Sequence, residues 1–372
     1  MKIAILGTRG IPNEYGGFEQ FAEYLSVGLV KRGHNVTVYN PHFHPYDKSH
    51  YNGVQIIQVY SPEDKIGAAA NFIYDYLCLR DALKRDFDLL LECGYGTASV
   101  SYYLSPIRRT TLVTNMDGLE WKRAKWSKPV RKFMKLFEKW GAIKSHALVA
   151  DNDGIQKYLS KEYGKDSVVI PYGADIFNSP DIEVLKEYEV SNNDYFLLIA
   201  RLEPENNIEM ILDGFTFSDS SRDFLVIGNH QTRYGRYLRN KFSHPNIRFL
   251  GSMYENRVIN NLRYYSKAYF HGHSVGGTNP SLLEAMACRC LILAHDNIFN
   301  RKVLNGNAFF FTSIEDVRHH INSLSNNNGM KNEFVRGNIY RIKTRYGWDT
   351  IIDQYENFFK SLSSSNKCNT TK

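Results

Sequence analysis

The sequence predicts an α/β protein built from two similar Rossmann-like domains that face each other across a cleft. Three observations carry this. Short β-rich runs alternate with helical periodicity along most of the chain. The alternation stops once, near the middle, and then restarts. In each half, a strand is followed by a glycine-rich loop that opens a helix.

In the first half, strands are expected at Lys2–Leu6, Asn35–Tyr39, Val54–Val59, Asp88–Glu92, Thr111–Thr114 and Ala147–Ala150. Helical patterns at Phe18–Lys31, Ala70–Lys84 and Pro129–Ile143 separate them. Ile170-Pro171-Tyr172-Gly173-Ala174-Asp175 and the polar stretch to Asp194 mark the domain junction. Strands resume at Tyr195–Ala200, Asp223–Ile227, Ile247–Leu250, Ala268–His271 and Leu291–Ala294, with a helix at Ser281–Cys288. Trp348–Leu362 closes the order as an amphipathic helix, followed by a polar tail.

Composition excludes several classes. The chain has 372 residues, 43% hydrophobic and 23% charged, which suits two buried cores. Its five cysteines are odd in number and form no CxxC pair, so a disulfide framework or a zinc knuckle is not expected, and a reducing cytoplasm fits. Met1–Gly7 reads as a strand and not as a signal peptide. No run of about 18 apolar residues is present to span a membrane. The net charge of +7 suggests an anionic partner.

Two loops carry candidate chemistry. Gly7–Glu19 follows the first strand and opens the first helix, where Gly16 and Gly17 let the backbone approach a ligand and the helix start favours an anion. Arg9 stands where a dinucleotide fingerprint needs glycine, and no Walker GK[ST] follows. His271–Ala287 is a strand end, a glycine-rich loop with Gly277 and Thr278, and a helix that Asn279 caps and Pro280 begins. Glu284 lies one turn inside that helix, where a carboxylate can grip a ribose diol. His273 is a candidate assistant in the same loop.

Taken in order, Gly16-Gly17-Phe18-Glu19, Ile170–Asp175, Arg201-Leu202-Glu203-Pro204-Glu205 and Glu284-Ala285-Met286-Ala287 resemble retaining GT-B glycosyltransferases of family 4, and the Gly7–Glu19 phrase is closest to the rhamnosyltransferase-like subgroup of polysaccharide biosynthesis. The resemblance spans nearly the whole chain. It implies that Arg201 binds the diphosphate of a nucleoside-diphosphate sugar and serves catalysis, that Glu284 holds the ribose, and that Glu19 lies on the acceptor side. The family's first glutamate falls on Gly276 and its lysine on Asn206, so both are replaced. A less polar sugar pocket suits a deoxyhexose such as rhamnose carried by dTDP. Asp117 stands near the family's ligand-contacting histidine and is assigned to orienting or deprotonating the acceptor hydroxyl.

Two further segments bear on partners. Asp151-Asn152-Asp153 has the look of a metal-binding pair, but Asp153 is placed to cap the helix that follows. No metal and no cofactor are expected, the nucleotide sugar being a co-substrate. Trp121–Phe137 is basic, with Val130, Phe133, Met134 and Phe137 on one helical face. That stripe is expected inside, with Lys125, Arg131, Lys132 and Lys135 toward an anionic membrane surface. No nucleic-acid motif accompanies the charge.

The domains expected are an acceptor-binding domain at 1–175, a nucleotide-sugar domain at 176–345, a helix at 346–363 returning to the first domain, and a tail at 364–372. The function expected is metal-independent glycosyl transfer, with retention, onto a lipid-linked glycan at the cytoplasmic face of a bacterial plasma membrane. A nucleotide-sugar epimerase or an inactive sugar-nucleotide-binding subunit is the alternative.

Overall fold

A computed structural model describes residues 1–116, 118–122, 126–275, 277–324 and 328–369. The chain divides into two compact units. The first holds Met1–Lys122, Trp126–Tyr172 and the segment from Trp348; the second holds Gly173–Gly347. The divisions differ slightly from those expected at 175 and 345, for a local reason. Ala174 N–H donates to the Tyr346 carbonyl at 2.7 Å, which binds residue 174 into the second unit. Tyr172 instead packs edge-on against Phe21, with ring centroids 5.7 Å apart.

The first unit begins β1 (Lys2–Leu6), α1 (Gly17–Lys31), β2 (Asn35–Pro41), β3 (His50–Tyr51) and β4 (Val54–Val59). A short turn, α2 (Glu63–Ile66), then leads into α3 (Ala70–Ala82), β5 (Leu89–Cys93) and α4 (Ala98–Leu104). β6 (Thr111–Met116), α5 (Lys128–Lys144), β7 (Ala147–Ala150), α6 (Asp153–Tyr163) and β8 (Val168–Val169) complete this part. The strands order as β3-β4-β2-β1-β5-β6-β7-β8. All pair in parallel except β3 with β4. Ile3–Leu6 and Leu89–Cys93 are wholly buried, as strands covered on both faces must be.

The second unit alternates regularly: β9 (Tyr195–Ile199), α7 (Ile208–Thr216), β10 (Asp223–Ile227), α8 (Arg233–Lys241), β11 (Ile247–Gly251), α9 (Asn256–Tyr265) and β12 (Ala268–His271). Then come α10 (Pro280–Ala287), β13 (Ile292–His295), α11 (Ile298–Leu304), β14 (Phe309–Phe311), α12 (Ile314–Ser323) and α13 (Asn328–Arg341). Its sheet runs β11-β10-β9-β12-β13-β14, all parallel. Phe196, Phe215, Phe224 and Phe270 form its centre, with ring centroids 5.1 to 6.0 Å apart. Each such buried side chain contributes about 1.5–3 kcal/mol by transfer from water.

The last helix, α14 (Trp348–Asn369), belongs to the first unit and packs on α1. Trp348 stacks on Tyr24 at 4.6 Å, and Arg32 pairs with Asp353 at 2.6 Å. The crossing is close because α1 has glycine at the contact: a β-carbon on Gly28 would stand 2.3 Å from Ile352 Cδ1. α14 continues past the expected end at 363, with the Ser363 and Ser364 hydroxyls donating to the carbonyls one turn back. Among the described residues, no helix is long and apolar enough to cross a membrane.

A buried carboxyl pair sits in the first unit. Asp75 on α3 accepts from Thr97 Oγ1 at 2.5 Å. Burial pushes Asp75 up to about 7. Burial, and then the neighbouring Asp75, push Glu92 at the end of β5 well above the usual carboxylate range. Groups raised in the folded state hold a proton there that they release when unfolded. Their contribution to stability is therefore fully present below the ordinary carboxylate range and is lost as pH climbs through about 7. Glu92→Gln keeps the shape and removes the second charge. The melting temperature of this variant relative to the parent should rise between pH 5 and pH 8. An equal difference at both pH values would show that the pair does not share this proton.

Candidate active site

In an open parallel sheet, ligands bind beyond the carboxyl ends of the strands where strand order reverses. In the second unit that point lies between β9 and β12. Two loops leave it. Ala200–Asn207 follows β9, and Gly272–Asn279 follows β12. They are stitched together. Asn207 Nδ2 donates to the Gly272 carbonyl at 2.8 Å, and the Ser274 N–H and Oγ both donate to the Glu205 carbonyl, at 3.1 and 2.7 Å. Gly272 permits this approach, since a β-carbon there would lie 2.0 Å from the Asn206 carbonyl oxygen.

Arg201 is exposed in the first of these loops, and among the described residues no carboxylate pairs with its guanidinium. Its carbonyl is fixed by Asn206, whose amide donates to it at 2.7 Å. Asn206 is buried, 5% exposed, so it acts inward on the loop.

The second loop places several of the predicted residues together. Asn279 caps α10 by accepting from the Ser281 N–H at 2.9 Å, and Pro280 begins the helix. Thr278 is buried and Gly277 half-buried in the turn before the cap. Gly276 lies outside the described residues. His273 stacks on His271, ring centroids 4.4 Å apart, and its carbonyl is held by Asn297 and Asn300, both at 3.0 Å. Burial first, then the surrounding His273, Arg263 and His295, hold His271 well below the usual imidazole range, so it stays neutral.

Glu284 has a partner that the sequence did not disclose. Arg263 on α9 is 3% exposed, and its Nη2 meets Glu284 Oε2 at 2.5 Å. Arg263 also donates to Ser281 Oγ at 3.2 Å, and Ser281 shares a hydrogen bond with the Tyr269 hydroxyl at 2.6 Å. Burial is the largest influence and opposes the guanidinium charge, but the Glu284 carboxylate together with Tyr269, Cys288 and Cys290 holds Arg263 above its ordinary range. Glu284 is 22% exposed, so part of its carboxylate still faces outward.

In the first unit the strand order reverses between β1 and β5. The loop after β1 is braced from several sides. Gly16 is the N-cap of α1 with extended backbone, and its N–H donates to Asn13 Oδ1 at 3.1 Å; Gly17 is exposed. Glu19, expected on the acceptor side, turns inward: it is 5% exposed and accepts from the Arg9 N–H at 2.8 Å. Burial raises its carboxyl, against the Arg9 and its own backbone donors. Arg9 itself pairs with Glu63 at 2.6 Å and lies over the Tyr15 ring at 4.1 Å. Asp117 and Lys125 lie outside the described residues.

Two expectations are corrected. The cap of α6 is Asn152, whose Oδ1 accepts from Gly154 and Ile155 N–H at 2.8 and 3.0 Å, while Asp153 is the first helical residue. Asn152 competes better because its side chain reaches both free donors from extended backbone. The stripe on α5 does not face inward as a whole. Phe133 is 59% exposed, and the buried face is Glu138, Gly141 and Ala142. Lys135 points inward to Glu138 at 3.2 Å and Glu162 at 3.1 Å. Lys132 is exposed, and Arg131 Nε donates to the Trp126 carbonyl at 3.0 Å. Among the described residues, no group of three or more His, Cys, Asp or Glu is placed to hold a metal.

The chain is similar to known proteins in two ways. Residues 182–339 match Glycosyl transferases group 1, and residues 1–175 match a domain of unknown function, DUF1972. No curated protein matches the sequence. Among solved structures it is similar to sucrose-phosphate synthase from Thermosynechococcus elongatus, at 13% identity and a TM-score of 0.79, covering 98% of this chain and 99% of that one. It is also similar to Anabaena Alr3699/HepE in complex with UDP-glucose, at 15% identity and a TM-score of 0.73, covering 97% and 100%. A glycosyltransferase from Rickettsia africae matches at 11% identity and a TM-score of 0.70, covering 97% and 98%. The fold is GT-B: α/β, with two Rossmann-like domains.

Arg263 offers a test of the site. Arg263→Gln leaves Glu284 without its buried cation and should cost about 2–3 kcal/mol, below the full penalty of a wholly buried pair because Glu284 is partly solvated. Adding Glu284→Gln should return part of that loss, which thermal denaturation of the four proteins would measure. Additive losses would show that the pair is not coupled.

Proposed function

We propose, for a chain whose residues 182–339 are a glycosyl transferases group 1 domain, that it transfers a sugar from a nucleoside diphosphate, with retention and without a metal, onto a lipid-linked glycan. The observation that carries this is Arg201, exposed at the β9–β12 reversal and facing no carboxylate among the described residues. A buried or paired arginine would be spent on the fold. This one is available to a diphosphate, which a guanidinium grips bidentately.

The rest of the loop supports the same ligand. The start of α10 presents the positive end of its dipole, which adds about 0.3–1 kcal/mol toward an anion, while its first-turn N–H groups are held by Asn279. With Asn206 turned inward in place of a second cation, Arg201 takes the larger share of the leaving-group charge. Glu284, oriented by Arg263, is set to accept both hydroxyls of a ribose. His273 and Thr278 flank the diphosphate. The acceptor proton passes to the donor phosphate or to Asp117.

Glycine at position 276 leaves the sugar pocket without the family's first carboxylate, which favours a deoxyhexose such as rhamnose from dTDP-rhamnose. The acceptor would be a glycan on a lipid carrier in surface-polysaccharide synthesis, reached at the anionic inner face of a bacterial plasma membrane, where Arg131 and Lys132 add positive charge.

Screening the purified chain against a panel of nucleotide sugars with a lipid-diphosphate-sugar acceptor tests the reading directly. Arg201→Ala should lower kcat/KM about a hundredfold or more while the melting temperature stays unchanged. Near-parental turnover would remove Arg201 from the donor site. Glu284→Ala should raise KM for the donor more than it lowers kcat, because a ribose contact is equal in ground and transition states. Chelator should leave the rate unchanged, and restoration of a chelated enzyme by Mg²⁺ would overturn the metal-independent scheme. If no nucleotide sugar is turned over and no nucleoside diphosphate released, the inactive-subunit alternative stands.

A further inference from the structure

The first unit carries an apolar surface that no part of the described chain covers. It is built by three neighbouring helices. Phe72 on α3 meets Phe137 on α5 at 5.7 Å between ring centroids, Phe137 meets Trp140 at 5.7 Å, and Trp140 meets Tyr103 on α4 at 4.7 Å. Phe133 extends the row at 6.4 Å from Phe137. Within the row Phe133 is 59% exposed, Tyr103 49% and Phe72 38%, with Phe137 and Trp140 half-buried, and Leu104 next to Tyr103 and Ile143 on α5 add apolar side chains 65% and 44% exposed. Contiguous apolar surface of this kind on a folded unit marks a binding face.

Charge identifies the occupant. Exposed Lys132, Lys139 and Lys144 rim the face, and Lys144 Nζ lies 4.3 Å over the Tyr103 ring. α4 has no acidic residue. The one acid of α5, Glu138, is 1% exposed and consumed by internal donors, among them Tyr95, Trp121 and Tyr163 at 3.2, 3.0 and 2.6 Å. The face is thus apolar and positive with no exposed acid on α4 or α5. A second copy docked two-fold would set lysines against lysines. An anionic bilayer offers what both parts of the face need: headgroup phosphates for the lysines and an acyl boundary for the rings. Aromatic side chains with polar neighbours settle at that boundary.

We propose that this α3–α4–α5 face docks on an anionic phospholipid bilayer, with Leu104 and Phe133 inserted and the lysines at the headgroups. The inference deepens the lipid-linked-acceptor reading and rests on it for its biological sense. It differs from a purely electrostatic helix, because the apolar row supplies part of the hold. Binding should therefore survive salt that screens the lysines.

The test uses the full chain and sedimentation with vesicles of phosphatidylcholine alone or mixed with phosphatidylglycerol. The parent should bind the mixed vesicles, less the neutral ones, and keep a substantial bound fraction at high salt. Leu104→Asp with Phe133→Asp places charges at exposed positions, where folding is spared, and should lower partitioning at least tenfold while nucleoside-diphosphate binding stays as in the parent. Lys132→Glu with Lys139→Glu should abolish the preference for anionic lipid. Unchanged sedimentation of the aspartate variant overturns the proposal. So does a parental dimer that the same variant splits to monomers by light scattering, since the face would then be covered by a second copy. Failure of nucleoside-diphosphate binding in the parent, with vesicle binding intact, would sink the glycosyltransferase reading and leave the docking surface standing.

Discussion

The reversal of strand order is the constraint on which the rest of the molecule depends. Parallel strands need crossover helices, and a sheet that winds both ways from one strand leaves its two neighbouring loops parting in opposite directions. In the second unit this happens at β9 and β12, and the loops that part there are the ones bearing Arg201 and His273. Loops that part need something to hold them. Here it is hydrogen bonding to main-chain carbonyls, from the Asn207 amide to Gly272 and from the Ser274 N–H and hydroxyl to Glu205, with glycine at the closest point. The consequence is a rigid floor made of backbone, from which side chains such as Arg201 are left free to meet a ligand.

Charge at this floor is distributed unevenly. Arg263 is buried and engaged with Glu284, Ser281 and Asn260, so it positions groups and leaves the outer face to others. His271 is neutral by burial, and a neutral imidazole beside His273 avoids stacking two cations. In the proposed reading, a dianionic ligand meets Arg201 and the positive end of the α10 dipole. A pair made of one exposed guanidinium and one helix end favours an anion that spreads its charge over several oxygens, as a diphosphate does.

Much of this was legible in the sequence, because it follows from local rules. Strand positions came from short buried runs, and Asn279 with Pro280 announced α10 as cap and first residue. What was not legible depends on tertiary partners. Arg263 lies far from Glu284 in the chain, and no periodicity links them. The cap of α6 went to Asn152 over Asp153 because capping depends on backbone conformation one residue wide. The resemblance put Glu19 on the acceptor side, yet the loop after β1 folds back so that the Arg9 N–H needs an acceptor there.

The largest difference is the direction that α5 faces, and its cause can be traced. Hydrophobic periodicity finds a stripe but assumes that the stripe is the inner side. On α5 the inner side is set by two other things. Glu138 is drawn inward by aromatic hydroxyls, an indole N–H and Lys135, a set of donors that satisfies a carboxylate without solvent. Gly141 and Ala142 then let the helix sit close, since a β-carbon at Gly141 would be 2.8 Å from Tyr95 Cβ. A helix fixed by a buried acid and two small residues has no room inside for its phenylalanines. They are left facing outward beside lysines, so the same polar network that anchors α5 to the sheet also creates the apolar, positive face on the other side.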